Sequence, residues 1–352
     1  MNEGHITLKD IAKKLNISIS TVSRALRGLP DVKPETKAEI LKLAKDMDYQ
    51  KNFFASSLQT RKSFTVGVII PQIAHLFFAK IISGIQEVAF GAGYRVIISQ
   101  SNESYHRETV DTDLLLSSRV DGLLVAPSTE TSNCQHFEKI HKKGIPLVFF
   151  DRICESIKAS VVVVDDFEGA FNGVEHLIEQ GCRKIAHLAG PETLSVGKER
   201  KRGYIAALKK YNLPVREEYI LNSNLNQAQS FECTNQLMDL PDPPDAIFGV
   251  TDTVIIGALL ALKQRNISIP GTVALLGFTN DPVTELVEPS LSSVSQPPLE
   301  IGRVAAQLFL NQVNNKSGYF FPETRVLKTK LVVRESSQKK KYHQKADPKS
   351  IN

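Results

Sequence analysis

From Thr65 onward, short apolar runs alternate with amphipathic stretches of helical period, and this alternation constrains the fold more than any other feature of the chain. Thr65–Ile70 and residues 94–99, 122–126, 146–150, 161–164, 184–189, 246–250 and 273–278 read as strands. Helical periods fill the stretches between most of them, as at 77–92, 167–180, 198–211, 253–265 and 299–314. Strands without a polar face suit a parallel sheet covered on both sides by its crossover helices. The stretch 65–335 is large for one such sheet, so two lobes are expected. Residues 336–352, polar and lysine-rich, read as a disordered tail.

The first sixty residues have a different texture. Thr7 and Asp10 stand at capping-box spacing before an apolar stripe of Leu8, Ile11, Ala12 and Leu15. Asn16 and Ile17 make a tight turn, and Ser18 is a good cap for a second helix running to about Arg27, with Gly28 closing it. Val22 and Leu26 face inward there. Pro34 opens a third helix with Ile40, Leu41 and Ala44 inside. Two helices joined by so short a turn can lay the second in a major groove. Its outward residues are Ile19, Ser20, Ser23, Arg24 and Arg27. A guanidinium bonds two guanine acceptors together, so Arg24 is the best base reader. Ser18 and Ser23 suit phosphate, and Thr7 and Thr21 complete the expected DNA side of the head.

The run ITLKDIAKKLNISISTVSRALRG, the VKPET helix start and the DYQKN exit resemble the DNA-binding head of the LacI/GalR family. The resemblance implies that Ile19 and Ser20 are the variable base readers beside Arg24. It also makes residues 52–64 a hinge, in which Asn52 caps a short helix and Leu58, with Ala55 beside it, wedges a minor-groove step. An isolated helix that short orders only against a partner.

The body is similar to the same family and, more distantly, to periplasmic sugar-binding proteins such as ribose-binding protein. TVGVIIPQIAHLFFAKIISGIQEVAFGAGYRVIIS, LLLSSRVDGLLVAPS, GIPLVFFDR, KIAHLAGPE and SVSQPPLEIGRVAA carry this resemblance in order. It implies an all-α helix-turn-helix head at 1–51 and an α/β body at 65–335 of two Rossmann-like parallel-sheet lobes. A small sugar-like molecule would lie between those lobes, at the carboxyl ends of the strands. Carried over position by position, the effector residues are His75, Phe77, Phe78, Asp151, Arg152, Arg200, Thr251, Asp252, Thr279 and Gln296. Gln72, Thr251 and the pair Thr279-Asn280 depart from the family's usual acidic or amide residues, which would leave the cleft more positive and suit an anion.

Charge supports the division. Residues 1–62 hold 12 Lys and Arg against 7 Asp and Glu, whereas 63–335 holds 26 against 30. A basic head on an acidic body points to a polyanionic partner, double-stranded operator DNA. No apolar stretch approaches membrane-spanning length and the N-terminus lacks a signal-like core, so a cytoplasmic chain is expected. The four cysteines show no metal-ligand spacing, and reduced thiols are the expectation. His136 and His141 read as decoration of a surface helix. No cofactor, metal or catalytic set is expected: GxGxxG, GxxxxGK[ST] and GxSxG are all absent. A transporter's solute receptor would share the body but not the head. No apolar heptad follows the body, so a homodimer is expected.

Overall fold

The computed structural model describes residues 6–26, 28–49, 62–315 and 321–339. The chain divides into two compact units, Met1–Ser63 and Phe64–Asn352. The first contains α1 (Leu8–Leu15), α2 (Ile19–Leu26) and α3 (Pro34–Asp46). At the start of α1, the Asp10 carboxylate accepts from the Thr7 backbone N–H at 2.8 Å and from its hydroxyl at 2.6 Å. Asn16 ends α1 in the left-handed region, at φ 52°. The Ser18 hydroxyl accepts from Thr21 N–H at 3.1 Å and so caps α2. Ile11, Ala12, Val22, Ala25, Ile40 and Ala44 form the core. Leu41, expected inside, is 46% exposed. The inward stripe of α3 runs through Ile40, Leu43, Ala44 and Met47, and Leu41 lies about 100° around the helix from Ile40.

The second unit begins with β1 (Thr65–Ile70), α4 (Leu76–Gly91), β2 (Arg95–Gln100), α5 (Tyr105–Ser117), β3 (Gly122–Val125), α6 (Gln135–Lys142), β4 (Leu147–Phe150) and β5 (Ser160–Val164). Then come α7 (Asp166–Glu179), β6 (Ile185–Ala189), α8 (Ser195–Lys210), β7 (Ile220–Asn222), α9 (Gln227–Met238), β8 (Ala246–Gly249), α10 (Asp252–Gln264), β9 (Ala274–Thr279), α11 (Val283–Leu286) and β10 (Ser292–Ser295). The unit closes with α12 (Pro298–Asn314), β11 (Thr324–Leu327) and β12 (Lys330–Val332).

These strands build two six-stranded sheets, ordered β11-β5-β4-β3-β1-β2 and β12-β10-β9-β8-β6-β7. Every pairing is parallel except β10 with β12. The expected two-lobed α/β body is therefore present. The chain passes between lobes three times: from β5 to α7, which packs on β9 and β10; from β10 to α12, which packs on β3, β4 and β5; and from β11 to β12.

Three expectations about the packing of this unit, outside its cleft, fail. Cys134 and Cys154 form a disulfide with Cα atoms 6.2 Å apart, where reduced thiols were expected. β3 and β4 are adjacent parallel strands, so the segments that follow them emerge at the same end of the sheet. That nearness is invisible in a separation of 20 residues. His136 is buried rather than on the surface, and its Nε2 lies 2.9 Å from Glu108. It shares the inward face of α6 with Phe137 and Ile140. The polar tail does not begin at Ser336. Ser336 and Ser337 are buried, Ser336 donates to Leu275 O at 2.8 Å, and Lys339 reaches Thr272 O at 2.9 Å. Hydroxyls that satisfy strand carbonyls make this stretch part of the second lobe.

Candidate DNA interface and effector cleft

In the first unit, α2 buries Val22 and Ala25 and turns Ile19, Ser20 and Arg24 outward. Ile19 is 48% exposed. The Arg24 guanidinium lies 3.1 Å from Asp31, with both side chains about half exposed. An ion pair so open to water is worth little and yields readily to a better acceptor. Ser18 is engaged as a cap and also meets the Ser20 and Thr21 hydroxyls at 2.7 and 2.8 Å. Its free capacity for phosphate is correspondingly small. Ser23 is half-buried, and Thr7 is engaged with Asp10. Arg27, Asn52, Ala55 and Leu58 lie outside the described residues.

In the second unit, a cavity of about 460 Å³ opens where the strands of both sheets end. Its size falls within the range of small-molecule sites. The topology explains the location: in parallel sheets the loops after each strand gather at one edge, and the two edges face one another across the crossovers. His75, Phe77, Phe78, Asp151, Arg152, Arg200, Thr251, Thr279 and Gln296 all line it. Asp252, expected with them, does not. Its carboxylate turns inward, accepting from the Ser293 hydroxyl at 2.6 Å and from Asp281 N–H at 2.7 Å. It fixes the loop after β9 rather than facing the cavity, and burial pushes its pKa up to about 6. Phe77 and Phe78 are largely buried and meet edge to face, so only part of each ring reaches the cavity.

Backbone strain collects at the same rim. Asp151 sits at φ 61°, Thr279 at φ 130° and Asn280 at φ 62°. A β-branched residue at such a φ persists only where its surroundings enforce it. Here the neighbouring Asn280 N–H is held by the Ser293 hydroxyl at 2.9 Å.

The two cleft arginines are already paired. Arg200, 2% exposed, contacts Asp166 at 2.7 and 2.8 Å, donates to Val250 O at 2.6 Å and lies 3.6 Å over the Phe278 ring. Arg152 meets Glu103 edge to edge, at 2.7 and 3.0 Å. Burial pushes the Asp151 carboxyl up to about 6, opposed by the charges of Arg152 and Arg200. Asp281 is raised as well, by burial. Among the described residues the lining therefore carries three carboxylates, Glu103, Asp151 and Asp281, against two guanidiniums. The predicted positive cleft is not observed. Glu103 and Asp281 went unnoticed in the sequence because each lies in a polar loop that reads locally as a turn.

The comparisons with known proteins agree with this geometry. Residues 7–52 match the family model "Bacterial regulatory proteins, lacI family", and residues 174–337 match "Periplasmic binding protein-like domain". The chain is 31% identical to catabolite control protein A of Priestia megaterium, over 89% of this chain and 94% of that protein. It resembles the structure of the transcriptional regulator CelR in complex with cellobiose, at 27% identity and a TM-score of 0.72, covering 94% of this chain and all of that one. Its fold matches that of the lac repressor dimer bound to operator and anti-inducer, with a TM-score of 0.84 at 20% identity, over 95% of this chain and 99% of that one. With a helix-turn-helix head, a two-lobed cleft body and a relative at this identity along most of its length, the chain belongs to the lacI family of bacterial regulatory proteins.

Proposed function

We propose that a cytoplasmic homodimer of this chain binds a pseudo-palindromic operator and represses transcription, and that a sugar-like molecule in the cleft changes the affinity. Ile19, Ser20 and Arg24 read base edges from α2, one head per half-site. Leu58, with Asn52 and Ala55, belongs to a hinge that forms against the minor groove. The effector side rests on His75, Asp151, Arg152, Thr251, Thr279 and Gln296, with Arg200 and the two phenylalanines behind them. The cellobiose bound by the related regulator supports a carbohydrate-like ligand.

The observation that carries this reading is the outward face of α2. A hydrophobic Ile19 and an arginine that pairs with the exposed Asp31 carboxylate stand clear of the helix's own core. The test is selection of preferred duplexes from a random pool, followed by affinity measurements with wild type and Arg24→Ala. The variant should lose about 1–3 kcal/mol at one base position, roughly fivefold to 150-fold, and become indifferent to that base. Undiminished preference in Arg24→Ala would remove the reading helix from the proposal.

A further inference from the structure

The Glu103 carboxylate sits where a bound anion would sit. Its Oε2 accepts from Arg152 Nη1 at 2.7 Å and from the Thr129 backbone N–H at 2.7 Å, and its Oε1 accepts from Arg152 Nη2 at 3.0 Å. A guanidinium edge converging with a backbone N–H is the donor geometry that grips a phosphate or a carboxylate. Glu103 reaches this place from a turn after β2 in which Asn102 and Glu103 are both left-handed, at φ 52° and 61°. Arg152 also donates to Pro127 O at 3.1 Å, so its remaining donors are few. The second cleft guanidinium, Arg200, is likewise engaged by Asp166 and Val250.

Two acceptors in the cavity wall have no donor among the described residues. Asp151 takes no hydrogen bond among the described residues, and its nearest cation, Arg152 Nε, is 3.8 Å away. Gln296 Oε1, buried in the cavity wall, has no hydrogen-bond partner among the described residues, while its Nε2 lies 3.3 Å from Thr279. Acceptors without donors ask for O–H or N–H groups from a ligand.

We propose that Glu103 is a specificity-determining residue: it fills the Arg152 anion fork with a carboxylate of the chain itself, so the effector carries no phosphate or carboxylate there and instead donates hydrogen bonds. This deepens the effector reading above and rests on it. Sugar phosphates and uronates are excluded by charge, and neutral polyols are admitted.

The test uses the full chain, with inorganic phosphate and acetate as probes, followed by calorimetric titration at pH 7.5. Wild type should show no saturable binding of either anion. Glu103→Ala should bind both saturably, at least about tenfold more tightly than the upper limit set by the wild-type titration, the gain of one charge-assisted contact. Acetate should also raise the melting temperature of Glu103→Ala saturably, by replacing the missing carboxylate. The double variant Glu103→Ala/Arg152→Gln should lose that response. Saturable phosphate binding by wild type, or no anion response in a folded Glu103→Ala, would overturn the proposal. Should Glu103→Ala not fold, Glu103→Ser, which also vacates the fork, and the wild-type titration still decide it: Ser must gain anion affinity and wild type must show none. Duplex binding by the same preparations is measured in parallel, so a failure of the regulator reading is seen separately.

Discussion

At the scale of single residues, burial sets the chemistry of several groups in the body. His187 lies between the Tyr204 and Phe248 rings, with Nδ1 3.0 Å from Phe248 O and Nε2 without a hydrogen-bond partner among the described residues. Desolvation lowers its pKa to about 4. In an unfolded chain an imidazole titrates near 6.5, so below that pH the unfolded state takes up a proton that the folded state refuses. Stability is therefore lost as pH falls from about 6.5 to about 4, by an amount on the order of 3 kcal/mol. Asp151 and Asp252 act in the opposite direction. Each is raised to about 6, so the folded state binds a proton first and gains stability as pH falls from about 6 toward 4. His187→Gln removes the first effect and leaves the second. Its urea midpoint should be lower than that of wild type at pH 7 but should fall less, or rise, between pH 6.5 and 4.5. A pH profile parallel to that of wild type would show that His187 does not set the acid limb. Arg200 makes the complementary case. Removing it strands Asp166 in the interior, so Arg200→Ala should cost about 3–5 kcal/mol in a denaturant titration. Asp166→Asn in the same chain should recover part of that loss. Impaired effector response in Arg200→Ala alone would therefore not distinguish a ligand contact from a broken tie. A loss under 1 kcal/mol would deny the tie.

At the scale of elements, helices of the body approach closely enough that side chains must be absent at the crossing. A Cβ on Gly84 in α4 would come within 2.1 Å of Leu299 O, and one on Gly302 in α12 within 2.0 Å of Ile81 O. Both obstacles are backbone, so the two helices would have to separate. Gly84→Ala should therefore destabilise by at least about 1–3 kcal/mol, although helix propensity alone predicts a gain of about 1 kcal/mol. An unfolding titration that returned the gain would mean that the helices can part at little cost. The elements also show what the sequence could reveal. β1, β3, β4, β6, β8 and β9 were legible because they are apolar runs buried on both faces. β10, with the sequence SSVS, was not, because its buried serines are satisfied by distant partners: Ser293 by Asp252 and Ser292 by Ser337. β7 and β12 have three residues each, too few for an alternation to register. The cleft followed the same rule. Asp151, Arg152 and Gln296 came from local motifs carried by the family resemblance. Glu103 gains its meaning only when the ends of β2, β3 and β4 converge.

At the scale of the whole molecule, the proposed function makes effector and operator coupled ligands of one chain. A compound held across the cleft binds the folded body and not the unfolded chain. At a hundred times its dissociation constant it should stabilise by about 2.7 kcal/mol, which for a body of this size raises the melting temperature on the order of 5–10 °C. The coupling to DNA obeys a stricter condition. If saturating effector changes operator affinity by some factor, saturating operator must change effector affinity by the same factor in the same direction. A neutral polyol identified from the thermal shift should meet this condition in two titrations, effector into protein with and without a short operator duplex, and duplex into protein with and without effector. The sign of the common factor then distinguishes an inducer from a corepressor. A compound that raises the melting temperature but leaves both factors at one binds the fold without reporting to the head. In that case the cleft would be occupied without being the regulatory site. Unequal factors would show that the compound binds a second place, such as the duplex itself or the basic head. Gln296→Ala separates these outcomes further: loss of its buried acceptor should weaken a cleft ligand and leave operator affinity without effector unchanged.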